Sequence, residues 1–224
     1  MQYTLKEHFQ FLQWKQDRHD ALYHADIYTL TRKNNLTHMT MHLSKYLGGM
    51  ISQYVDVNHQ NIELDKLSAD FVIVLMSMAN RVNINLAAEI ENEVDSYTST
   101  FQGACADYSV PEVALEAVTN YFSQSHLRIV DDTKFYLDVA VRIGNLAKAI
   151  EALDHLEQYP SREFIEKSVH DLFRLIMRFR ASYSFKNLGS YIWQRMAKIE
   201  SKNVLYELMP KYTEDYRELN NVSQ

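Results

Sequence analysis

Several groups of side chains in this sequence could do chemistry. His38 and His42 stand four apart in "HMTMH", the spacing that puts two imidazoles on one helix face for a zinc ion. The stretch lacks the glutamate base of an HExxH site, so packing is the ordinary reading of the pair. Glu151 and Asp154 are three apart and precede His155, and Asp138 and Glu166 lie on the same hairpin. Their ordinary reading is an exposed helix end. Cys105, in "GACADYS", is the single cysteine, with no nucleophile elbow and no neighbouring base. It reads as a small structural residue, and a lone cysteine forms no intramolecular disulfide, which fits a reducing compartment. Arg174, Arg178 and Arg180 cluster in "RLIMRFR" and read as solvated helix charges. Asp70 and Asp171 sit on strongly apolar helices, where a carboxylate is either satisfied within the bundle or recruited to a site.

The elements that hold these groups are helices. Val139, Ile143, Leu146, Ile150 and Leu153 advance by four and three, and so do Ile165, Val169, Leu172, Ile176 and Phe179. That spacing lines one helix face. Between them, in "YPSRE", Pro160 is expected to stop the first helix and Ser161 to cap the second. Met39, Leu43, Tyr46, Met50 and Tyr54 form a comparable stripe, followed by Leu67, Phe71, Val74 and Met78. "FVIVLM" continues into "SMANRV" without a turn residue, which predicts a central buried helix rather than a strand. Further helices are expected in "LKEHFQFLQWKQDRH", in "PEVALEAVTNYFSQS", from Leu86 through "LAAEIENEVDSYTSTF", and in "LGSYIWQRMAKIE".

The two hairpins can be laid over each other, Gly48 on Gly144 and Asp70 on Asp171. The expectation is an all-α protein of two similar antiparallel helical-bundle halves, 1–102 and 112–224, joined by a linker at 103–111.

The bulk properties agree. The 224 residues include 46% hydrophobic and 23% charged residues, with 5 Gly and 3 Pro, too few for a loop-rich or all-β fold. The net charge of −6 argues against broad nucleic-acid binding, which depends on neutralising phosphates. No apolar run approaches a membrane span, and the polar first residues do not read as a secretion signal, so the expected location is the cytoplasm.

"GNLAKAIEAL", "IEKSVHDLFRLI" and "LSADFVIVLMSMANRVNINLAAEIENEV" resemble the all-α nucleoside triphosphate pyrophosphohydrolases of the MazG type, over roughly 34–95 and 134–200. In that family a Glu-x-x-Glu helix and a Glu-x-x-Asp helix hold Mg²⁺, which neutralises the triphosphate and activates a water. The resemblance implies a tandem of two such halves. Its acid positions fall on Tyr46, Gly49, Leu67 and Asp70, and on Arg142, Asn145, Ser168 and Asp171. Two of the eight expected acids remain, Asp70 and Asp171, and these are the metal-ligand candidates. Asp70, Asn80, Arg142, Asn145 and Asp171 are the candidate ligand-binding residues, Asn80 through the family's stretch after the second helix. The implied function is a degenerate nucleotide-binding or regulatory protein, a pseudoenzyme. The alternatives are an active pyrophosphohydrolase with relocated ligands, for which Mg²⁺ would be the cofactor, and a helical protein–protein interaction module. Family members dimerise, so a fused tandem implies a monomer or a homodimer, taking a phosphate-bearing ligand or a protein partner.

Overall fold

The computed structural model describes residues 5–56, 61–86, 111–124, 127–153, 159–185 and 188–202. Among them every regular element is a helix: α1 Leu5–Tyr23, α2 Ala25–Tyr28, α3 Arg32–Val55, α4 Asn61–Val82, α5 Pro111–Phe122, α6 Asp132–Glu151, α7 Ser161–Ser182 and α8 Leu188–Glu200. The helix expected from Leu86 onward (apart from Leu86 itself), the linker at 103–111 up to its last residue, Cys105, Asp154 and His155 lie outside the described residues. Pro111, at the linker's end, opens α5, as a residue with pre-set φ and no N–H can.

Local chemistry sets the helix ends. The Thr31 hydroxyl accepts a hydrogen bond from the Asn34 N–H at 3.3 Å, and the Asp131 carboxylate accepts one from Lys134 at 3.0 Å, so α3 and α6 start on side-chain caps. At α7 the expectation needs correction. Pro160 is the N-cap residue, without a side-chain bond, and Ser161 is the first helical residue. The preceding helix stops at Glu151, well before Pro160. α4 and α7 end alike. Asn83 (φ 58°) and Ser184 (φ 57°) adopt the left-handed conformation. The N–H of Ile84 then returns to the Ala79 carbonyl at 2.9 Å, and that of Phe185 to the Arg180 carbonyl at 3.0 Å.

α3 packs on α4 and α6 on α7, the two hairpins expected from the stripes. α3 also packs on α6, and α4 on α7, so the four long helices enclose one continuous core. α1, α5 and α8 close over it, α1 against α4 and α5, and α5 against α7 and α8. "FVIVLM" is central, with Phe71, Val72, Leu75 and Met76 at most 1% exposed. The stripes hold except at their C-terminal ends, where Tyr54 and Leu153 emerge into solvent. Tyr54 packs across α3 and α6 on Tyr136, ring centroids 5.0 Å apart, and its hydroxyl meets that of Thr133 at 3.1 Å. Most phenylalanines serve the core: Phe135 stacks on Phe179 at 4.4 Å, and Phe9 meets Phe173 edge-on at 5.5 Å.

The arginine cluster also departs from expectation. Arg180 is 0% exposed. Its Nη1 donates to the Asp65 carbonyl at 2.8 Å and to Ser68 Oγ at 2.6 Å, and its Nη2 to Asp65 Oδ1 at 2.6 Å, tying α7 to α4. Arg178 donates from Nε to the Leu127 carbonyl at 2.5 Å. A buried guanidinium with several acceptors is an internal fastening, not a solvated charge.

Candidate functional site

α1, α2, α3, α4 and α8 enclose a cavity of about 160 Å³. Its shape follows from the break between α1 and α2. His24 leaves helical geometry (φ −128°, ψ 42°), and α2 runs for only four residues. The chain thereby turns across the mouth of the α3–α4 hairpin. α3 contributes His38, His42 and Tyr46, one per turn; α4 contributes Asp70, Val74, Ser77 and Arg81; α8 contributes Arg195 and Met196.

The lining is rich in titratable groups: four imidazoles, the carboxylates of Asp17, Asp20 and Asp70, and two guanidiniums. His19 is 5% exposed, and neither ring nitrogen has a hydrogen-bond partner. Its ring centroid lies 5.7 Å from that of His24, and those of His38 and His42 are 4.5 Å apart. Asp20 is held on both oxygens, Oδ1 by the Gln16 amide at 2.8 Å and Oδ2 by the Ser77 hydroxyl at 2.5 Å. His19, Asp20 and His24 each bring one ligand atom within 4.8 Å of the others.

Burial disfavours the charged imidazoles. His42 is pushed down to about 4, by desolvation first and then by Lys45, His38 and His24. His24 is also lowered by burial, with Asp20 acting against it. Asp70 is raised by burial, with the Arg195 guanidinium pulling it back. Tyr46 is raised by burial and by the Asp70 charge. Near neutral pH the cavity therefore offers neutral His24 and His42 beside the side chains of Asp17, Asp20 and Asp70.

The sequence-derived candidates are divided between places. Asp70 lines the cavity, its Oδ1 3.4 Å from Arg195 Nε. Asn80 joins α4 to α1: its Nδ2 donates to the Gln13 carbonyl at 2.7 Å, and its Oδ1 accepts from Gln13 Nε2 at 3.2 Å. Arg142 and Asp171 meet across α6 and α7, Nε to Oδ2 at 3.4 Å, and Arg142 Nη1 donates to the Asp138 carbonyl at 3.2 Å. Asn145 is exposed. The structure thus brings Arg142 to Asp171 and leaves Asp70 in the separate cavity. His38 and His42 do face that cavity. The sequence reading missed His19, Asp20, His24, Arg81 and Arg195. The run "HDALYH" carried a signal, an adjacent His–Asp followed by a second His, but only the helix break brings the three together.

Compared with protein-family models, with curated proteins and with solved structures, the chain matches none. Among the described residues no helix is long and apolar enough to cross a membrane.

Proposed function

We propose that this chain is a tandem, MazG-like helical protein that binds a nucleotide or related phosphate-bearing ligand without hydrolysing it. One observation carries the reading. Tyr46 and Asp70, two positions at which the resemblance expects metal-binding acids, both line the cavity, and Arg195 stands against the carboxylate that remains. One acid of four cannot hold Mg²⁺ in the rigid multi-carboxylate arrangement that aligns an attacking water. A guanidinium there suits a phosphate oxygen instead. Its 3.4 Å approach to Asp70 is loose enough for a phosphate to compete. The second half supports the same pattern, with Arg142 opposite Asp171. The tandem is supported by the matching left-handed caps, Asn83 and Ser184, each thirteen residues beyond its aspartate.

Calorimetric titration with ribo- and deoxyribonucleotides, together with a pyrophosphate-release assay in Mg²⁺, tests the proposal. The expected result is saturable binding, weakened at least about tenfold by Arg195→Met, with no appreciable turnover. Turnover near 1 s⁻¹ or more, typical of a working enzyme, abolished by Asp70→Asn or Asp171→Asn, would replace this reading with an active pyrophosphohydrolase. Absence of binding by any nucleotide would leave the helical interaction module.

A further inference from the structure

We propose that His19, Asp20 and His24, at the break between α1 and α2, form a site for a zinc-class divalent cation, open toward the cavity. The donor set is the first reason. Two imidazoles and a carboxylate are the ligands of three-residue zinc sites that keep a fourth position free, whereas Mg²⁺ prefers oxygen alone. The burial of His19 is the second. A 95%-buried imidazole with neither nitrogen bonded leaves polar atoms uncompensated, and a metal bond removes one of them. The support around Asp20 is the third. Gln16 and Ser77 each take one lone pair of its carboxylate and hold it facing His19 and His24, leaving a lone pair for a metal.

The spacing is close to what a metal needs. Tetrahedral zinc with bonds near 2.0–2.1 Å sets its ligand atoms about 3.4 Å apart. His19 Nδ1 lies 3.9 Å from Asp20 Oδ1, and all three ligand atoms lie within 4.8 Å of one another. His24 stands outside regular helix, where its ring is free of helical rotamer limits, and the His19–Asp20 pair has about 0.5 Å to close to reach that spacing. Of the groups acting on His24, Asp20 and Asp26 favour a cation there, and His19 and Arg195 oppose it. The site does not depend on nucleotide binding: its donors come from α1 and the α1–α2 break, not from the positions that carry the MazG resemblance.

The test uses the full chain stripped with a chelator and titrated with Zn²⁺ and with Co²⁺, without nucleotide. The expected result is one tight equivalent of Zn²⁺, visible-range Co²⁺ absorption of low-symmetry coordination, and no comparable response to Mg²⁺. His24→Gln should weaken Zn²⁺ binding by at least about 100-fold, the upper range seen when even supporting residues of metal sites are changed. Asp20→Asn should act in the same direction, and His170→Ala, on α7, should change nothing. His24 is half-buried and its side chain caps no helix, so His24→Gln should keep the helical circular dichroism of the parent even if His19→Gln does not fold. Weak binding that persists in His24→Gln, or that disappears equally in His170→Ala, would overturn the proposal. Because the readout is metal alone, it stands or falls apart from the nucleotide assays.

Discussion

Arg180→Met separates a fastening of the fold from an incidental buried charge. The substitution keeps an unbranched apolar side chain and removes the guanidinium. Three hydrogen bonds go with it, to the Asp65 carbonyl, to Ser68 Oγ and to Asp65 Oδ1. The losses are unequal. Ser68 still donates to the Asp65 carbonyl at 2.9 Å, so that carbonyl keeps a partner. The Asp65 side chain is 34% exposed and regains water. The variant also removes a guanidinium whose ionisation burial already opposes. Breaking a buried pair typically costs 3–5 kcal/mol, and these compensations bring the expected loss to about 2–3 kcal/mol. Asp65→Ala should do at least as much damage, because it leaves the cation 0% exposed with no counter-charge. The double variant should lose less than the two single losses combined, by about 1–3 kcal/mol, the coupling of residues in one network. Urea unfolding followed by circular dichroism reads all three. An Arg180→Met loss below about 0.5 kcal/mol, the surface range, or strict additivity in the double variant, would refute the reasoning.

Leu146→Ala and Leu172→Ala, both at 0% exposure, should each lower stability by about 2–5 kcal/mol in the same assay. Stability should also depend on pH through His42. Its folded value of about 4 lies below the ordinary 6.5, so the unfolded chain takes up the proton first. The contribution is complete above about pH 6.5 and is lost as pH falls toward 4. Melting temperatures measured in chelator from pH 7.5 to 4 should therefore fall less steeply for His42→Gln than for the parent.

The helices were legible because periodicity survives burial. The Val139–Ile150 stripe and the whole Ile165–Phe179 stripe face the core, and "FVIVLM" behaves as its length and continuation suggested. Caps were less legible. Ser161 looks like a cap in isolation, yet Pro160 holds that position. The arginines misled for a related reason. Charge in a helix is ordinarily solvated, and nothing near Arg180 in the sequence points to Asp65 and Ser68, more than a hundred residues away. The cavity was the least legible part. His38 and His42 were visible as a pair because they share one helix face. His19, Asp20 and His24 straddle a helix end, and Arg195 arrives from α8, so their meeting is a product of packing.

The single core also bears on synthesis. α3 and α4 bury one face against each other, but their second faces wait for α6 and α7. A ribosome adding about 5–20 residues per second needs roughly 5–20 s to travel from the end of α4 to the end of α7. Throughout that interval the nascent chain holds an apolar hairpin without its cover, and Asp65 and Ser68 without the arginine that joins them to α7. Exposed surface of that kind is what holdase chaperones bind, so the emerging first hairpin is where assistance, or aggregation in its absence, would act on this protein.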